Sequence, residues 1–141
     1  MTASNLSRAA TGDRKATALD QDHLARMTLG DRRLEREVLE IFLRQTTIML
    51  DRIVPAEPAL AAAAAHTLKG SARGIGAWRV AQAAELLESA ASADGSQTAG
   101  TRDMDAALDA AIEELKAASL EASAAIGARL TLLLAELARD R

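Results

Sequence analysis

The residues in this sequence best suited to chemistry are His66 and Lys69, which stand three positions apart in the run His66-Thr67-Leu68-Lys69-Gly70-Ser71-Ala72. Imidazole titrates at about pH 6.5, so one neutral ring nitrogen can attack phosphorus while the other keeps its proton. Phosphoryl transfer depends mainly on alignment and on neutralising the charge of the phosphoryl oxygens. A lysine one helical turn from the histidine would supply that charge. The pair is therefore a candidate phosphoryl-accepting site.

A helix over residues 58–73 would place His66 on its outward side. At about 100° per residue, the face opposite His66 carries an apolar stripe of Leu60, Ala61, Ala64, Leu68 and Ala72, broken only by the small hydroxyl of Ser71. Within about 60° of His66 lie only small or cationic residues: Ala59, Ala62, Ala63, Lys69, Gly70 and Arg73. Gly70 costs about 1 kcal/mol relative to alanine inside a helix. We interpret the small residues, with Ala59, Ala62 and Ala63 among them, as a surface that a second protein can approach closely.

A simpler interpretation is an ordinary solvated histidine on an amphipathic helix, because the pattern His-x-x-Lys often arises by chance. The wider motif favours a specific role. The run from His66 to Ala72, followed by Gly74-Ile75-Gly76 and a second helix, resembles the histidine-containing phosphotransfer (HPt) domain. The resemblance is sharpest over residues 59–88 and extends over about residues 20–120.

The resemblance implies that the chain is a phosphocarrier of a two-component phosphorelay. His66 would accept a phosphoryl group and pass it to or from an aspartate of response-regulator receiver domains, and a histidine kinase, possibly of the hybrid type, would be a further partner. Mg²⁺ and most catalytic groups would belong to the receiver. This chain would bind no metal or cofactor of its own and would not be an independent enzyme.

Several residues are expected to support His66. Arg73 would extend the positive field of Lys69, and Ser71 would hydrogen-bond the preceding helical turn. In the family, a polar residue of the next helix often orients the imidazole. The local candidates are Gln82, Glu85 and Glu88, of which Glu88 fits best by spacing, although many relatives carry glutamine there.

The main alternative function is a phosphorylation-independent adapter, a helical bundle that binds and inhibits a receiver or a kinase. Retention of His66, Lys69 and Gly70 favours the carrier. A nucleotide-binding enzyme is poorly supported, because the glycines at 70, 74 and 76 follow a helix and no Gly-Lys-Ser/Thr comes after them. The two histidines stand too far apart in sequence to suggest a metal site.

Composition and periodicity predict an all-α fold. Alanine and leucine dominate, β-branched residues are few, and aromatic residues make up only 1% of the chain. We expect an antiparallel, up-down four-helix bundle with a short N-terminal helix and a helical C-terminal extension. The bundle helices are predicted at 32–54, 58–73, 77–93 and 103–122. The domain plan is a disordered tail over 1–18, the HPt bundle over 19–122 and the extension over 123–141.

Two segments have more apolar surface than a bundle core requires. The apolar residues of the 32–54 helix span about 220° at 100° per residue, whereas a core-facing stripe can be as narrow as about 100°. Most of them should be buried, with a part, together with Leu24, Met27 and Phe42, left for a partner. In the extension, either Gly127 interrupts the helix or its end projects beyond the bundle. Its leucines predict self-association or folding back onto the bundle.

The remaining composition narrows the function class. A formal net charge of -3 argues against nucleic acid as a partner. The chain has no cysteine, which fits a reducing cytoplasm and excludes disulfides and thiolate metal sites. No apolar run approaches the roughly 20 residues of a membrane span. We therefore expect a cytoplasmic protein that does not associate with membranes.

Overall fold

The computed structural model describes residues 17–92 and 101–140, and these residues form helices without any strand. The helices are α1 (Gln21–Met27), α2 (Arg32–Asp51), α3 (Pro58–Ile75), α4 (Trp78–Ser92) and α5 (Thr101–Arg139). Helices α2 to α5 form the four-helix bundle and α1 packs at one end of α3. The predicted all-α bundle with a short first helix is confirmed. The predicted tail, apart from residues 17 and 18, lies outside the described residues.

Local sequence signals explain where the helices begin and end. Asp31 caps α2 by accepting hydrogen bonds from the backbone N–H groups of Arg33 and Leu34, at 3.0 and 3.2 Å. Pro58 begins α3, and the missing N–H of proline costs no helical hydrogen bond at this first position. Gly76 ends α3 in the left-handed conformation, with φ +86°, which glycine adopts without strain. These caps fix the register in which α3 turns into α4.

The interface between α3 and α4 is lined mainly by alanine. On α3, Ala61, Ala65 and Ala72 are completely buried, and so are Ala77 and Ala84 around and within α4. Small side chains allow two helix backbones to lie close together, and Leu68 and Leu87 fill the space beside them. Side chains that leave this interface on its solvent edge can therefore reach across from one helix to the other.

The C-terminal part of helix α5 runs antiparallel to α2. Arg129 donates to both carboxylate oxygens of the buried Glu35, one of them at 3.1 Å, and this bonding raises the pKa of Arg129. Closer to the C-terminus of the chain, Glu136 and Asp140 pair with Arg32 of α2, Glu136 at 3.8 Å. The C-terminal half of α5 is therefore a part of the packed structure.

These contacts settle how the last helix continues. Gly127 does not interrupt it, because α5 extends unbroken over 39 residues and crosses the predicted boundary at residue 122. Ile126 and Leu133 are completely buried, so the predicted projecting end and the predicted fold-back are both wrong. Leu132 and Leu134 remain more than half exposed, and self-association through them stays a prediction.

By length and composition alone, the segment Asp105–Arg139 of α5 could cross a membrane, with a mean hydropathy of 1.3 over its most apolar stretch. Charged residues such as Glu121 and Arg129 interrupt the segment, so it is not the continuous apolar run that the sequence excludes. The finding is weak support for a span, because core helices pass the same test. Arg129 and Glu136 of this segment form ion pairs with α2, and its buried face belongs to the core.

One residue of the predicted apolar stripe on α3 is not buried. Leu60 is 45% exposed. The hydrogen bond between Ser71 and Gln45 sets the antiparallel register of α3 and α2. In that register α2 ends at Asp51, opposite the middle of α3, so nothing from α2 reaches the first turn where Leu60 lies.

The ion pair between Glu35 and Arg129 generates a stability prediction. Replacing Arg129 by alanine leaves a buried carboxylate without its partner, so we expect Arg129→Ala to lower the free energy of unfolding by about 3 kcal/mol. Urea denaturation followed by circular dichroism measures this. Lys116→Ala removes an exposed pair with Glu113 and should change stability by less than about 0.5 kcal/mol. Equal effects of the two substitutions would contradict the role given to Glu35 and Arg129.

Candidate functional site

His66 lies in the middle of α3, on the face turned away from the core. Its side chain is 67% exposed, and its Nδ1 lies 2.8 Å from Oε2 of Glu88 on α4. A carboxylate oxygen accepts hydrogen bonds, so Nδ1 carries the hydrogen, and in the neutral ring Nε2 then has a free lone pair. Within the described residues, no group forms a hydrogen bond with Nε2. The ring is therefore held by one nitrogen and open to a reaction partner at the other.

The other oxygen of the Glu88 carboxylate binds Lys69. Lys69 Nζ donates to Glu88 Oε1 at 2.7 Å, so the carboxylate bridges the imidazole and the ammonium group. These hydrogen bonds, first that of Lys69 and then that of His66, lower the pKa of Glu88. Glu88 is accordingly ionised at neutral pH, and the positive charge of Lys69 compensates it. Of the three candidates for orienting His66, Glu88 is the one that contacts it.

Lys69 lies differently from what the sequence suggests. Its side chain is only 15% exposed and its charge faces Glu88, whereas we expected the ammonium group to face arriving phosphoryl oxygens. Arg73 pairs with Glu85 at 3.6 Å, and both side chains are more than half exposed. Arg73 is thus the freer of the two cations near His66.

The surface around His66 is open. A Cβ added at Gly70 or at Gly74 would meet nothing within 4 Å. Ala59 and Ala63 are exposed and Ala62 is half-buried, on the N-terminal side of the histidine. A second protein could therefore approach His66 along α3 from either side without meeting a long side chain at these positions.

An apolar groove of about 390 Å³ adjoins this surface. It lies between α1, α2 and the C-terminal part of α3, where Ser71, Gly74 and Ile75 line it. Met27, Leu34 and Ile41 are its exposed apolar residues, each at least 40% exposed. Leu24 and Phe42 also line the groove but are 1% and 3% exposed. The expectation that Leu24 and Phe42 form an exposed docking surface was wrong, because both belong to the core. Met27, the third residue of that expectation, is exposed.

Sequence reasoning missed two side chains that organise this region. Gln45 of α2 accepts a hydrogen bond from Ser71 Oγ at 2.7 Å, so Ser71 binds a neighbouring helix and not the preceding turn as expected. Trp78 Nε1 donates to Asp20 at 2.9 Å. A signal for the second pair was available, since Trp78 is the one tryptophan of the chain and a buried indole N–H usually finds a partner.

Comparison with known families agrees with this geometry. The family model of the Hpt domain matches residues 37–118, which is more than half of the chain and includes His66, Lys69 and Glu88. No curated protein and no solved structure matches the chain. Hpt domains are helical phosphocarrier modules that exchange phosphoryl groups with receiver domains and kinases in phosphorelay signalling. This protein belongs to the Hpt domain family.

Proposed function

We propose that His66 is the phosphoryl-accepting residue and that the phosphoryl group joins its Nε2 atom. The observation that carries the proposal is the hydrogen bond from Nδ1 to Glu88 on a ring that is two-thirds exposed. That bond leaves Nε2 as the nucleophilic nitrogen and points the ring away from the core. An ordinary solvated histidine would not be fixed in this way by a carboxylate that is itself held by Lys69.

The reaction requires no proton transfer at His66. Nε2 attacks the phosphorus of an aspartyl phosphate, the P–N bond forms, and the P–O bond to the aspartate breaks to release a carboxylate. The imidazole becomes cationic because it keeps the hydrogen on Nδ1. Glu88 lies against that hydrogen and stabilises the developing charge. In the reverse direction, the P–N bond breaks as the phosphoryl group leaves, its electron pair returns to Nε2, and the ring is neutral again.

The partner that fits this surface is a receiver domain. Gly70 and Gly74 follow His66 along one side of α3 and lead to the groove of Met27, Leu34 and Ile41. A partner that covers the groove can also reach His66, since Gly74 lies about 12 Å further along the helix at 1.5 Å per residue. We place Ala59, Ala62 and Ala63 at the other margin of the contact. The receiver would supply Mg²⁺ and the remaining charge neutralisation.

Exchange of the phosphoryl group with receivers would make this chain a carrier and not an independent enzyme. The identity of the receivers and of the kinase, the role of Lys69 and Arg73 towards the phosphoryl oxygens, and the cytoplasmic location stay predictions. The adapter function gains no support from the geometry, because inhibition by docking alone needs neither an exposed imidazole nor a carboxylate that orients it.

Radiolabel transfer from a phosphorylated receiver tests the acceptor. Wild type should take up an acid-labile, base-stable label, and His66→Gln should take up none. The chain has two histidines, so His23→Gln is the matched control and should still take up the label. Binding of the receiver without label on any of the three proteins would support the adapter instead.

Substitution of Glu88 tests the orienting contact. Glu88→Gln keeps an oxygen that can accept from Nδ1 but loses the charge, so we expect transfer to slow about tenfold. Glu88→Ala loses both and should be slower still. Rapid-quench measurement of label on His66 distinguishes them, and equal rates in wild type and Glu88→Ala would contradict the assignment.

The lowered pKa of Glu88 has a consequence for stability. A carboxyl group whose pKa is lower in the folded state than in the unfolded state stabilises the fold at pH values above its unfolded-state pKa. This stabilisation is lost as the pH falls through its folded-state pKa. Wild type should therefore unfold at higher urea than Glu88→Gln at pH 7. The difference between the urea midpoints of the two proteins should become smaller at pH values below the ordinary pKa range of a glutamate. A gap that stays constant at low pH would contradict an ionised bridge.

Substitution of Gly70 tests the open approach to His66. Gly70→Gln should stabilise α3 by up to about 1 kcal/mol, because glycine is a poor helix former, yet it should slow transfer from a receiver by obstructing contact. Gly127→Gln is the matched control. Gly127 is also a helical glycine with open space at its Cβ position, but it lies on α5, so its substitution should leave transfer unchanged. Fast transfer in Gly70→Gln would contradict the close-contact argument.

A further inference from the structure

Helix α1 is fastened to the corner between α3 and α4 by a set of specific contacts. The Asp20 backbone N–H donates to the Gly76 carbonyl at 2.9 Å. The Asp20 carboxylate accepts from the His23 N–H at 3.1 Å and from Trp78 Nε1 at 2.9 Å. The His23 ring lies edge-on to Trp78, with ring centroids 4.8 Å apart. Together these contacts join the short helix to both neighbours.

The contact that concerns α3 most directly is made by His23. Its Nε2 lies 3.0 Å from the carbonyl oxygen of Arg73. A carbonyl only accepts, so Nε2 carries the hydrogen and donates it. The last four carbonyls of a helix lack partners within the helix, and Arg73 is in the last turn of α3. His23 therefore supplies a hydrogen-bond donor to a carbonyl group at the C-terminal end of α3, the helix that carries His66.

Gly76 shows how closely α1 fits this corner. A Cβ on Gly76 would lie 2.9 Å from the Asp20 carbonyl oxygen and 3.3 Å from Cδ2 of the His23 ring. No other residue type has room there. The corner is therefore built around α1, and α1 itself has only seven residues, too few to be stable as an isolated helix.

The same short helix also forms a wall of the apolar groove. Leu24 and Met27 of α1 line the groove together with Thr28, which follows the helix, and Met27 is 57% exposed. The position of this wall therefore depends on the contacts of α1 with the corner. His23 is one turn from Met27 and provides a side-chain link between α1 and the end of α3.

We propose that His23 is a positioning residue for partner docking: by donating from Nε2 to the Arg73 carbonyl, it holds α1 in place as the wall of the groove that a receiver domain covers. The inference rests on the proposed function, since it needs a receiver as the partner. His23 contacts α3 at Arg73, about two helical turns from His66, and does not touch the reacting nitrogen. Its loss should weaken docking without changing the reactivity of His66.

The test compares two phosphoryl donors on the full-length chain. One donor is a receiver domain that has been phosphorylated by acetyl phosphate and that transfers label to wild type. The other is the small donor phosphoramidate, which needs no docking surface. We expect His23→Ala to raise the half-saturating receiver concentration by about five- to tenfold, the factor of one hydrogen bond. The maximal rate with the receiver and the rate with phosphoramidate should stay at wild-type values.

Three further variants separate the hydrogen bond from general disturbance. His23→Gln keeps a donor and should restore most of the receiver affinity. His23→Phe keeps an aromatic ring against Trp78 but loses the donor, so it should behave like His23→Ala. Arg26→Ala changes an exposed residue of α1 that does not line the groove, and it should match wild type.

Several outcomes would overturn the inference. An unchanged half-saturating concentration in His23→Ala would do so, and so would an equal loss of rate with phosphoramidate, which indicates damage to the site itself. Failure of His23→Gln to restore affinity would show that the donor is not responsible. If no receiver transfers label to wild type while phosphoramidate still labels His66, the proposed partner is wrong, and the inference falls with it.

Discussion

The close packing of α3 against α4 is the constraint on which the site depends. Alanines such as Ala61, Ala65 and Ala84 line that interface, so the two backbones lie near enough for Glu88 to reach across to His66 and Lys69 at once. Larger side chains would separate the helices and break both contacts. The left-handed turn at Gly76 fixes the register that places residue 88 opposite residues 66 and 69. The remaining helices support this pair: α2 lies behind α3, and α5 spans both α4 and α2.

The site divides the work of phosphoryl transfer between two proteins. This chain contributes a nucleophile that is held by Nδ1 and a surface that others can approach. Its nearest cation, Lys69, is already compensated by Glu88. A neutral pair beside the imidazole leaves most of the charge neutralisation to the partner, which agrees with the role of Hpt domains as carriers within phosphorelays.

Sequence reasoning succeeded where one helix alone determines the outcome. The periodicity around His66 indicated its exposed face. Glu88, which lies on the neighbouring helix, was favoured among three candidates through the resemblance to the family. Sequence reasoning failed where tertiary register decides. Leu60 is exposed because α2 ends before reaching it, whereas Leu24 and Phe42 are core residues that form the buried lining of the groove. Ion pairs with Glu35 and Arg32 hold the C-terminal part of α5 against α2, and these partners are remote in sequence. The link from His23 to the Arg73 carbonyl has no local signature at all.

The central claim is that Glu88 holds Nδ1 of His66 and leaves Nε2 as the reacting atom. The most direct measurement is long-range ¹H–¹⁵N correlation NMR of the histidine side chains, before and after phosphorylation. The account predicts the Nδ1–H tautomer in the resting protein and a phosphorus–nitrogen coupling at Nε2 in the phosphorylated one. Phosphorus on Nδ1, or on a residue other than His66, would contradict it.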